Sequence, residues 1–79
     1  IDLRKEMIEV NCIDRLGKMT KVRCSESDTI GDLKELVADQ VGTSAERIIL
    51  KKWYTVFKDH ICLRDYEITH LFEIEIYYK

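Results

Sequence analysis

Ser27-Asp28-Thr29-Ile30-Gly31-Asp32-Leu33-Lys34-Glu35-Leu36-Val37-Ala38-Asp39-Gln40-Val41-Gly42 carries the helical periodicity of this chain. Ile30, Leu33, Val37 and Val41 recur at i, i+3, i+7 and i+11, a spacing that lines them up along one side of an α-helix, while Asp32, Lys34, Glu35 and Asp39 fall elsewhere. Thr29 stands where an N-cap is needed. Asp32, three residues on, has the capping-box position and lies near the positive end of the helix. Gly42 is placed to end the helix in a left-handed conformation. Leu36 lies about 100° from the centre of the stripe, which predicts an apolar side chain left exposed on the helix flank.

On both sides of this segment the period changes from helical to alternating. Upstream, Ile8, Val10 and Cys12 alternate with Glu9, Asn11 and Ile13, and Thr20, Val22 and Cys24 alternate with Met19, Lys21 and Arg23. The turn residues Asp14-Arg15-Leu16-Gly17-Lys18 between them predict an N-terminal β-hairpin. Downstream, Arg47-Ile48-Ile49-Leu50-Lys51-Lys52-Trp53 predicts a third strand, Val56-Phe57 a very short fourth, and Leu63-Arg64-Asp65-Tyr66-Glu67-Ile68 a tight helical turn. Glu73-Ile74-Glu75-Ile76-Tyr77-Tyr78 is the cleanest alternation and predicts a last strand with Ile74, Ile76 and Tyr78 facing inward. The sum is an α+β domain with one principal helix packed across a mixed sheet. Residues 1–6 are polar and unpatterned and read as an N-terminal extension, with the domain over 7–79.

Composition narrows the function. In 79 residues, 46% hydrophobic and 35% charged, there is room for one small domain with a modest core. Thirteen basic and fifteen acidic side chains leave a net charge of -2, which argues against binding nucleic acid through bulk phosphate neutralisation. No apolar run approaches the roughly 20 residues of a membrane span, so no membrane partner is expected, and the reading is a soluble intracellular monomer. The three cysteines, Cys12, Cys24 and Cys62, are an odd and scattered set and read as reduced structural thiols.

Few side chains invite chemistry. Asp59-His60-Ile61-Cys62 sets an acid, an imidazole and a thiol close together, and on a strand His60 and Cys62 would share a face. No oxyanion donors or orienting partner accompany them. The two histidines and the cysteines lack zinc spacing, and no phosphate-binding glycine loop is present. An enzyme, a metal site and a cofactor are therefore not expected. Lys51-Lys52-Trp53-Tyr54-Thr55-Val56-Phe57-Lys58 mixes lysines with aromatics and is the best nucleic-acid candidate, against the plainer reading of solvated lysines and locally packed rings. Asp28 is either a capping or turn carboxylate, or an anion offered to a basic partner side chain.

Ser27-Asp28-Thr29-Ile30 and Leu63-Arg64-Asp65-Tyr66-Glu67-Ile68 resemble the matching blocks of ubiquitin, and the chain lies on it without a gap from residue 8 to residue 79. The resemblance implies the ubiquitin-like β-grasp. The positions of ubiquitin's apolar recognition patch hold Arg15, Lys51 and Tyr77, so a partner meets charge there. The end, Tyr77-Tyr78-Lys79, lacks a di-glycine, which leads to the expectation that the chain as it stands is not conjugated through its C-terminus.

Met7-Ile8-Glu9-Val10, Asp14-Arg15-Leu16-Gly17-Lys18, Asp28-Thr29-Ile30-Gly31-Asp32-Leu33-Lys34, Leu50-Lys51-Lys52-Trp53-Tyr54, Phe57-Lys58-Asp59-His60 and Tyr77-Tyr78 are together similar to the Hub-type ubiquitin-like proteins. That resemblance implies a nuclear and cytoplasmic protein that binds spliceosomal proteins non-covalently and modulates pre-mRNA splicing. Its ligand would be a short helical element whose arginine pairs with Asp28, and Lys21, Arg23, Lys34 and Leu36 are the expected surroundings. No direct nucleic acid is implied. The family also touches a splicing helicase through a histidine-bearing, glycine-containing turn. Here Thr69 occupies the histidine position, His70 is displaced by one and the glycine is gone, so that second surface is expected to be altered or absent. The competing readings are a covalent ubiquitin-like modifier and a small single-stranded nucleic-acid binder.

Overall fold

The computed structural model describes residues 7–79; the expected extension over 1–6 lies outside them. In chain order the elements are β1 (Met7–Ile13), β2 (Met19–Ser25), α1 (Ile30–Val41), a 3₁₀ turn (Ala45–Arg47), β3 (Ile48–Lys52), β4 (Thr55–Val56), a second 3₁₀ turn (Leu63–Tyr66) and β5 (Glu73–Tyr78). The sheet order is β2-β1-β5-β3-β4. β1 pairs antiparallel with β2 and parallel with β5, and β5 pairs antiparallel with β3, so the sheet is mixed. With one helix crossing it, this is the ubiquitin-like β-grasp.

The alternating positions decide which side of the sheet meets the helix. Val10, Cys12, Val22, Cys24, Ile48, Leu50, Ile74 and Ile76 are buried against Ile30, Leu33 and Val37, while Phe57, Leu63 and Ile68 complete the core. Each of the larger side chains contributes roughly 1.5–3 kcal/mol by leaving water. Ala38 is buried as well, and Val41 only partly, so the helix presents a slightly broader stripe than its spacing implied. Tyr78 departs from the expectation. Alternation would turn it inward, but it is the last residue of β5, past the β1 ladder that ends at Glu75, and stays 47% exposed.

Both helix ends follow the sequence. Thr29 Oγ1 accepts the Asp32 N–H (3.1 Å) and the Asp32 carboxylate accepts the Thr29 N–H (3.2 Å), the reciprocal capping box. The two remaining early donors are met by the loop before the second 3₁₀ turn: Ile30 N–H donates to the Ile61 carbonyl (3.0 Å) and Gly31 N–H to that of Asp59 (2.9 Å). This close approach explains Gly31, where a Cβ would sit 3.3 Å from the Asp59 carbonyl oxygen. Gly42, at φ 81°, ends the helix in the left-handed conformation and donates to the Ala38 carbonyl.

The β3–β4 region differs in its limits. Arg47 belongs to the 3₁₀ turn, and Trp53 has left the strand with φ 55°. Phe57, expected in the fourth strand, follows it instead; its side chain enters the core and its N–H donates to the Leu50 carbonyl (2.9 Å).

Candidate partner surface at the head of the helix

Asp28 sits in the turn that carries β2 into α1. Its N–H donates to the Ser25 carbonyl (3.0 Å) and its Oδ2 accepts the Ser25 N–H (2.9 Å), a reciprocal pair that closes the turn. Ser25 is buried, so that N–H needs a partner. The Ser25 and Ser27 hydroxyls lie 2.9 Å apart, and the Asp28 carbonyl accepts the Leu63 N–H (2.9 Å). Held from both sides, the carboxylate is half-buried and is a turn carboxylate rather than the helix cap, which is Thr29. Its charge reaches inward: burial first, and then the Asp28 carboxylate, push the Cys24 thiol up to about 11.

The neighbours expected around Asp28 divide. Gln40 Nε2 donates to the Lys21 carbonyl (3.0 Å), which lays the flank of α1 that bears Leu36 and Gln40 along the edge strand β2. Leu36 is 37% exposed there, in line with its flanking position. Lys21 and Arg23 border this edge, but they alternate with buried Val22 and Cys24, so their side chains stand on the far face of the sheet, opposite Asn11 and Glu9. Lys34 is not brought to the group. Two residues from Leu36 is about 200° around a helix, and its Nζ pairs with Asp59 at 2.6 Å on the opposite flank. The sequence gives no sign of the Gln40 contact and marks Asp59 only as a neighbour of His60 and Cys62, because each acts through a partner remote in the chain.

No family model matches the chain. Curated proteins do. Ubiquitin-like protein 5 of Drosophila melanogaster is 59% identical over 73 residues, covering 92% of this chain and all of the relative. Ubiquitin-like modifier hub1 of Schizosaccharomyces pombe is 58% identical over the same length and coverage. Ubiquitin-like modifier HUB1 of Saccharomyces cerevisiae is 46% identical over 72 residues, 91% of this chain and 99% of its own. The chain belongs to the Hub1/ubiquitin-like protein 5 family. Two of these relatives bear the name of ubiquitin-like modifier and the third that of ubiquitin-like protein, and none bears that of an enzyme.

Two surfaces set apart in the sequence take definite form in this family member. Lys51 lies with its ammonium 5.0 Å from the Tyr77 ring centre, and the Tyr77 hydroxyl donates to Glu75 Oε1 (3.2 Å), which raises the phenol above its ordinary range. In the turn before β5, Thr69 is exposed and lines an open depression of about 470 Å³ with Glu26, Arg64, Glu67 and Ile68. His70 turns to β1 instead, where its Nδ1 accepts the Glu9 N–H (3.1 Å).

His60 and Cys62 do not lie on a common strand. Asp59 and His60 form a turn, and Cys62 makes an isolated bridge with Thr29. Among the described residues no group of three or more His, Cys, Asp or Glu side chains is arranged to hold a metal ion.

Proposed function

We propose that this ubiquitin-like protein acts as a non-covalent adaptor in the nucleus and cytoplasm, binding short helical elements of spliceosomal proteins through Asp28 and thereby modulating pre-mRNA splicing. The observation that supports this reading is the carboxylate itself. The turn holds it half-buried at the end of β2, with Oδ2 engaged by Ser25, and the helix that follows leaves Leu36 exposed on the flank that meets β2. A fixed, partly desolvated carboxylate suits a charge-assisted bond to an arginine, and an apolar flank suits the greasy side of an amphipathic helix. Leu36 lies on the flank of α1 that meets β2, Lys21 and Arg23 stand on the far face of that strand, and Lys34, engaged with Asp59, lies outside the site.

The test is an NMR titration with a synthetic helical peptide that contains one central arginine. In the native domain, shifts should cluster at residues 25–29, Leu36 and Gln40. Asp28→Asn keeps an oxygen for the Ser25 N–H and removes the charge, so the fold should persist while affinity drops about tenfold or more. Asp28→Lys should abolish binding. Native shifts elsewhere, or equal affinity in Asp28→Asn, would sink the proposal.

The word modifier in the relatives' names keeps a covalent role as the second reading. A thioester formed with a ubiquitin-like activating enzyme and ATP would favour it.

A further inference from the structure

We propose that the β3–β4 turn is a separate docking surface, which takes an acidic protein segment carrying a bulky apolar side chain. Trp53 and Tyr54 form its tip and are 74% and 101% exposed, with Val56 beside them at 56%. Large side chains left so open are not contributing to the core, and tryptophan and tyrosine are the residues that most often anchor interfaces. Trp53 also holds a left-handed backbone, φ 55°, where a glycine would be easier.

The charge around these rings decides the occupant. Residues 48–58 contain Lys51, Lys52 and Lys58 and no acidic side chain, although the whole chain is net -2. The nearest following carboxylate, Asp59, is paired with Lys34. Lys52 sits with its ammonium 5.3 Å from the centre of the Trp53 ring and 5.6 Å from that of Phe72. Two rings thus hold one ammonium in place before any partner arrives, and little side-chain entropy remains to be lost when a carboxylate meets it. Lys51 and Lys52 are consecutive on β3, so their side chains stand on opposite faces of the sheet, Lys51 opposite Glu75 and beside Tyr77, and Lys52 at the turn. An acidic segment crossing the turn meets the Lys52 ammonium beside an apolar platform of Trp53, Tyr54 and Val56. Single-stranded nucleic acid fits less well. Such binders neutralise backbone phosphates with a basic excess, whereas this chain is net -2 and Glu75 stands opposite Lys51.

Trp53 is the chain's single tryptophan, so its emission reads the site directly. The probe is a short peptide of alternating glutamate and leucine with one central phenylalanine. It should shift Trp53 emission to the blue, saturably and less so at high salt. Lys52→Glu should weaken binding about tenfold or more and Tyr54→Ala several-fold. Both are surface substitutions, and circular dichroism checks that each variant is folded. The same peptide with serine in place of its apolar residues should leave the emission unmoved. Asp28→Asn should bind the acidic peptide like the native domain, which separates this surface from the adaptor site. No shift with the native domain, equal affinity in folded Lys52→Glu, or tighter binding of oligouridine than of the peptide would each overturn the proposal.

Discussion

Leu71 carries a left-handed backbone, φ 67°, with its side chain 55% exposed. An L residue in this region costs about 1–2 kcal/mol, and its surroundings explain why the conformation persists. Leu71 N–H donates to the Glu9 carbonyl (2.6 Å), His70 Nδ1 accepts the Glu9 N–H, and the Phe72 carbonyl accepts the Asn11 N–H. The β1–β5 ladder starts only at Asn11, so the turn supplies the partners Glu9 would otherwise lack. Leu71→Gly should raise stability by up to about 1 kcal/mol, the relief of strain being partly offset by the greater freedom of glycine in the unfolded chain. A urea midpoint that moves down instead of up would contradict this. The residue-by-residue pattern marks Leu36 as exposed, but nothing in it marks His70 as the acceptor of a backbone N–H.

At the scale of elements, the helix is the part most legible in the sequence, because its signals are local. The capping box, the stripe and the terminal glycine all act within a few residues of one another. Thr29→Ala should cost about 1 kcal/mol, which for a domain of this size lowers Tm by roughly 4–8 °C. Asp32→Asn retains an acceptor for the Thr29 N–H and should lower it less. Equal losses in thermal unfolding would mean that charge at the helix end counts as much as the Thr29 cap hydrogen bond. β5 and the first hairpin were equally plain from their alternation. The limits of β3 and β4 were not: Trp53 is β-prone, yet the chain turns there so that Phe57 can enter the core.

Across the whole molecule the two buried thiols report on the core. Burial is the main cause that pushes Cys12 from 9.0 up to about 12, and Cys24 from 9.0 up to about 11. Both folded values are raised, so the unfolded chain gives up these protons first. The stabilisation is intact below pH 9 and is lost as pH climbs from about 9 through 11 and 12. Urea midpoints should fall over that window, and replacing both thiols by alanine should flatten the fall while lowering stability at neutral pH. Iodoacetamide followed by intact mass measurement should modify half-buried Cys62 first in the native protein, and all three thiols in urea. Rapid native modification of Cys12 would show that the sheet opens more readily than its burial implies.

Period and capping chemistry are properties of adjacent residues, so the sequence by itself determined the kind and order of the elements, the inward-facing positions of most strands and both ends of α1. Family resemblance in blocks of sequence pointed to the β-grasp. Contacts between distant residues were decided only in the folded chain. Gln40 meets Lys21 across 19 residues and His70 meets Glu9 across 61, and no local pattern encodes either. The same holds for Lys34. On the sequence it is a neighbour of Leu36, but helical rotation sends it to the opposite flank, where Asp59 claims its charge. Tyr78 follows the inward alternation but lies past the end of the β1 ladder at Glu75, so no β1 residue stands beside it and it stays exposed.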